Sequence, residues 1–169
     1  MPLEHRLSPT HIHADALELY VRSFAPKTHF GHQRRVIDRM NRLVAEGTVD
    51  SYSVRTWGKQ LVMSALQEPE VERNIRACIE AFWSWARNND LSIAPFFPTD
   101  SVHVPLPDET YTVVTLPKMT LAEYAGDDLG FVSPCTDGER VYTVADRLDR
   151  LEAFDHGPPT VSGRDRSGR

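Results

Sequence analysis

Apolar and polar residues alternate from Leu17, with Leu17, Leu19 and Val21 on one face and Glu18, Tyr20, Arg22 and Phe24 on the other. Period two predicts a strand over 17–24, ended by Pro26, which has no N–H for a ladder. The period then changes. Val36, Ile37, Met40, Leu43 and Val44 recur at helical spacing and predict a helix over His32–Glu46, with Gly47 at its C-terminal cap. Burying those five side chains is worth roughly 1.5–3 kcal/mol each before chain entropy. Alternation returns over Asp50–Trp57. Gly58-Lys59 then has the Gly-X form of a type II′ turn, which predicts Gln60–Met63 as an antiparallel return; one longer strand is the competing reading.

A second helix is predicted from Pro69 at N1, with Glu68, Glu70 and Glu72 around its positive end. Its stripe is Val71, Ile75, Cys78, Ile79, Phe82, Trp85 and Ala86. Asn88-Asn89-Asp90 stops it, and Leu91–Phe97 reads as a strand. The order is βαββαβ. That predicts an α+β fold with a ferredoxin-like core over 17–97, an antiparallel sheet with both helices on one face.

An extension over 98–154 follows. Pro98, Pro105 and Pro107 predict a loop, Thr110–Leu116 a strand, and Thr120–Tyr124 either element. Asp127–Gly130 reads as a turn, and Phe131–Cys135 with Arg140–Val144 as a hairpin around Thr136–Glu139. Thr143 and Asp146 have the spacing of a capping-box variant for a last helix, Val144–Phe154. Residues 1–15 read as a flexible arm and 155–169 as a disordered tail, leaving a single domain over 16–154.

Composition narrows the class. No run approaches the ~18–20 apolar residues of a membrane span, and the start has no secretory leader. Two cysteines make no disulfide framework, so a cytoplasmic location is expected. Net charge is −5, but it is unevenly spread along the chain. Residues 16–60 carry eight Lys/Arg against four Asp/Glu, whereas residues 61–154 carry seven against sixteen. The first helix concentrates the positive charge. Arg34, Arg35, Arg39 and Arg42, joined by Arg22, Arg55 and Lys59, form a candidate phosphate-binding set for double-stranded DNA. A plain solvated helix face is the competing reading.

Other chemistry is thin. His29 with His32, and His11 with His13, lack a third ligand at recognisable spacing and read as ordinary polar histidines. Cys78 reads as a core residue and Cys135 as the more accessible thiol. Phe82, Trp83, Trp85, Phe96 and Phe97 fit a core better than a base-stacking platform. Walker, GxGxxG, GxSxG, HExxH and CxxC patterns are absent, so no catalysis, cofactor or metal is expected.

The strings LELYVRSFAP, HQRRVIDRMNRL, SYSVRTWGK and SPCTDGERVYTVADRLDRLE resemble a small family of haloarchaeal proteins. That family is described as carrying a helix-turn-helix-type domain found in halobacteria, and the resemblance covers residues 16–153. It implies DNA binding in transcriptional control. The alternative, drawn from the plait itself, is a small-molecule-sensing or protein-interaction module that does not touch DNA. A homodimer is also expected, because Tyr20, Phe24 and Trp57 lie on one apparent sheet face that needs cover.

Overall fold

A computed structural model describes residues 14–22, 30–63 and 69–155. Residues 1–13 of the arm, the tail beyond 155, Phe24 and His29 lie outside the described residues, and His11 and His13 with them. The elements are β1 (Ala16–Arg22), α1 (Phe30–Ala45), β2 (Ser51–Trp57), β3 (Gln60–Val62), α2 (Glu70–Asn88), β4 (Thr99–Val104), β5 (Glu109–Thr115), β6 (Met119–Ala125), β7 (Asp128–Ser133), β8 (Cys135–Thr136), β9 (Val141–Tyr142) and α3 (Val144–Asp155), with a 3-10 turn at Ala94–Phe96.

The helices follow the periodicity. α1 ends in a Schellman motif: Gly47 N–H donates to Val44 O at 3.0 Å and Thr48 N–H to Leu43 O at 2.9 Å, with Gly47 at φ +79°. α3 begins with the expected capping box. Thr143 N–H donates to Asp146 Oδ2 at 2.9 Å, and Asp146 N–H to Thr143 Oγ1 at 3.1 Å. Pro69 sits one position earlier than expected, at the N-cap of α2.

The described residues form two larger sheets and a two-stranded β8–β9 ribbon. In the first the order is β2-β1-β6-β7, with β1 and β2 parallel and the other pairs antiparallel. In the second, β3-β5-β4, every pair is antiparallel. Both faces of the first sheet are covered. Leu17, Leu19, Val21 and Leu121 pack against Val36, Met40 and Leu43 of α1 and Val144, Leu148 and Leu151 of α3. Tyr20, Ala122 and Val132 pack against Ile79, Phe82 and Trp85 of α2, together with Leu61 and Val114 of the second sheet.

This α+β architecture is not the expected plait. In a ferredoxin-like βαββαβ sheet the first two strands are parallel but separated; here β1 and β2 are neighbours, Leu19 opposite Val54. The helices also divide between the two faces of the sheet. Gly58-Lys59 is no hairpin turn. It passes the chain from β2 into β3 of the other sheet, which pairs with β5: Gln60 lies opposite Thr115, and Leu116 N–H donates to Lys59 O at 2.9 Å. Leu91–Phe97 is not a strand. Pro95 falls within the 3-10 turn, and only Ser92 makes a β-bridge, to Thr136. Residues 99–104, expected as loop, form β4, because Pro98, Pro105 and Pro107 flank the strand without interrupting it. β7 begins at Asp128, within the expected turn, and pairs with β6; the expected second hairpin is the short β8–β9 pair, Cys135 opposite Tyr142.

The face expected to need a partner is closed within the chain. Tyr20 stacks on Trp57 at 4.9 Å and meets Phe82 edge-on, while the Trp57 indole N–H donates to Pro117 O at 3.0 Å. Both rings are 2% exposed, so the argument for a dimer through this face does not hold.

Candidate nucleic-acid interface

The predicted basic set divides into three groups. Arg39 faces sideways along α1, towards α3. Its Nε donates to Glu152 at 2.8 Å and its Nη2 to Asp149 at 2.5 Å, leaving the side chain 20% exposed. Glu152 above all, then Asp149, raises the Arg39 pKa further against the lowering effect of burial. Arg42 is exposed but lines a groove of about 510 Å³ with Glu46, Asp149 and Glu152. Three carboxylates, two of them paired with Arg39, outnumber the guanidinium groups there and make that groove a poor seat for a phosphate.

Arg22 and Arg55 have structural partners. The Arg22 guanidinium donates twice to Leu116 O, through Nε at 2.8 Å and through Nη2, fastening β1 to the approach of β6. Arg55 lies on the α2 side of β2, 3.4 Å from Glu18, where it borders a cavity of about 130 Å³ with Tyr20, Asn74 and Cys78. It does not share a face with α1.

Arg34, Arg35 and Lys59 remain, and all three are exposed. Topology places them together. Because β1 and β2 are parallel, the start of α1 and the end of β2 lie at the same end of the first sheet. β6 runs the other way, with Val21 opposite Met119, so Lys118 arrives at that end too. Arg34, Arg35, Lys59 and Lys118 therefore gather at one end, with the positive N-terminal pole of α1. Asp15, Glu46, Asp50, Asp127 and Asp128 gather at the other, where Asp15 Oδ2 accepts from Gly126 N–H at 2.9 Å. These charges are segregated along the strand axis. Lys118 was missed because it lies between Pro117 and a strand whose direction the sequence does not disclose.

A second feature also escaped the sequence. Glu123 of β6 and Arg147 of α3 form a bidentate pair at 2.7 and 2.8 Å, with side chains 3% and 9% exposed. The guanidinium carbon also lies 3.7 Å from the centre of the Phe131 ring. Burial pushes the Glu123 carboxyl up, opposed by Arg147. A lone glutamate within the apolar strand LAEYA was the available signal.

The thiols reverse their expected order of access. Cys135 is fully buried and its pKa is pushed up to about 12, chiefly by burial, whereas Cys78 is half-buried beside the Tyr20 hydroxyl at 3.4 Å. Neither is disulfide-bonded. Trp85 and Phe82 are core, as read, and Trp83 is half-buried. No cluster of metal-ligating side chains occurs among the described residues, and no helix among them is long and apolar enough to cross a membrane.

No curated protein and no solved structure matches the chain. Among the described residues no two helices are joined by a three- or four-residue turn: α1 and α3 touch in space, but β2 through β9 separate them in sequence. Residues 10–156 nevertheless match a family described as a helix-turn-helix domain. That match spans most of the 169 residues, and the chain belongs to this helix-turn-helix domain family.

Proposed function

We propose that the protein is a non-enzymatic, DNA-associated regulator that meets the phosphates of duplex DNA with the basic end of its first sheet. Arg34 and Arg35 are the main contacts, and Lys59 and Lys118 widen the patch. The observation that carries this reading is the segregation of charge. A protein of net charge −5 repels DNA unless its cations are gathered away from its acids. Here four exposed bases occupy one end and five acids the other. The family description as a helix-turn-helix domain supports the same class of ligand. Arg39, Arg42, Arg22 and Arg55 are not part of this contact set.

Labelled duplex DNA titrated with protein tests the reading by fluorescence anisotropy at low salt. Wild type binds, and Arg34→Gln/Arg35→Gln/Lys118→Gln binds at least about tenfold more weakly, as expected for the loss of several phosphate contacts. Arg73→Gln/Arg87→Gln, on the exposed side of α2, leaves binding unchanged. A wild type that fails to bind at low salt contradicts the proposal.

A further inference from the structure

The four-stranded sheet has two unlike edges. β7 is buried along most of its length, with only Asp128 exposed. β2 is open among the described residues: five of its seven residues are exposed, and within that set it pairs on one side only, with β1. An exposed strand edge is a template for another strand, and proteins commonly block one with proline, a bulge or charge. β2 has no proline. Its one charge, Arg55, is directed towards Glu18.

The core is also open along this edge. Ile37 and Val44 of α1 and Tyr52 of β2 are only half-buried, and Val54 is 37% exposed. Tyr52 donates to Asn41 of α1 at 2.5 Å, which fixes α1 over the β2 side of the sheet. The result is an apolar strip made jointly by helix and strand, running beside a strand edge that no other described strand covers.

We propose that two copies of this chain pair through the outer edge of β2, antiparallel about a two-fold axis at Val54, joining their sheets into one. This register opposes all seven residues of each strand. Val54 meets Val54, Tyr52 meets Thr56, Ser53 meets Arg55 and Ser51 meets Trp57. Aromatic against β-branched is a favourable cross-strand pair, and no charge faces its like. An axis at Arg55 would oppose two guanidinium groups, and an axis at Ser53 would leave Thr56 and Trp57 without partners.

Charge complementarity argues for the same arrangement. Antiparallel pairing sets the basic end of each sheet beside the acidic end of the other, with Lys59 of one copy near Asp50 of the second. With strands ~4.8 Å apart, the two α1 axes come within about 10–14 Å of each other, close to helix-packing distance. This pairing does not rest on the DNA reading, and its readouts use protein alone.

Sedimentation equilibrium over a wide concentration range, with the full chain and no DNA, gives the first readout. The mass should approach twice the 19.2 kDa of one chain. Val54→Lys puts two like charges on the axis and should raise the dimer dissociation constant at least about tenfold. Val102→Lys, at a 45% exposed position on β4, should leave dimerisation unchanged. The second readout does not depend on how well V54K folds. Directly opposed residues lie about 4.5–5.5 Å apart at Cα, within disulfide reach. In a Cys78→Ser background, Val54→Cys should therefore crosslink two chains on mild oxidation, and Thr56→Cys should not. A wild-type mass of 19.2 kDa at every concentration overturns the proposal, as does a V54K protein that dimerises as tightly as wild type or equal crosslinking at positions 54 and 56.

Discussion

Arg39 Nε lies 2.8 Å from Glu152 Oε1, joining α1 to α3 across the whole length of the chain between them. The helical pattern places this arginine with the phosphate-binding set, but its geometry assigns it to packing. Arg39→Gln should lower stability by up to about 1 kcal/mol, because Glu152 and Asp149 are themselves substantially solvated. DNA affinity and its salt dependence should not change. Urea unfolding and anisotropy on the same variant separate the two effects.

The Glu123–Arg147 pair is buried far more deeply, and removing one partner strands the other. Glu123→Leu or Arg147→Met should each cost about 3–5 kcal/mol. The double change Glu123→Leu/Arg147→Met should recover most of that loss, because a buried ion pair and an apolar pair of similar volume are close in stability. Urea midpoints of the two single variants and the double variant give the coupling directly. Additive losses in the double variant would show that the two groups do not act as a pair.

What the sequence disclosed, and what it withheld, follows from the range of each signal. Helices declare themselves locally. The stripe Val36–Val44, the Gly47 stop and the Thr143/Asp146 cap all lie within a turn or two of what they predict, and all three are found. A strand declares its alternation but not its partner. SYSVRTW was legible as β2, yet nothing in it says that its neighbour is β1 and that Gly58-Lys59 leads out of the sheet. β4 was hidden by the prolines on either side of it. The candidate site suffered in the same way. Helical spacing singles out Arg34 and Arg35, whereas Lys118 comes to the same end of the sheet only through the direction of β6. The ion pairs of Arg39 could not be read locally, because its acids lie on α3, more than a hundred residues away.

The capping box at α3 makes a pH-dependent contribution. Thr143→Ala should destabilise the fold by about 1 kcal/mol. Asp146 has its pKa lowered, first by the Thr143 backbone N–H and then by the Thr143 side chain. A depressed carboxyl stabilises the folded state above its unfolded pKa, and that contribution disappears as pH falls through the folded value. The stability difference between wild type and Asp146→Asn should therefore be constant around neutrality and narrow below about pH 4. A difference that grows on acidification would contradict the cap.

The salt dependence of DNA binding tests the central claim most directly. Each phosphate contact contributes about 0.9 to the slope of log K against log salt concentration for duplex DNA. Arg34→Gln/Arg35→Gln/Lys118→Gln removes three side chains from the basic end without touching the core and keeps helix propensity in α1 nearly constant. Lys59 is left in place because it also borders the open edge of β2. Anisotropy titrations at several salt concentrations should give a slope shallower than wild type by about 2.7. Arg73→Gln/Arg87→Gln should match wild type. Equal flattening in both variants, or a wild-type slope near zero, would contradict binding through the basic end of the sheet.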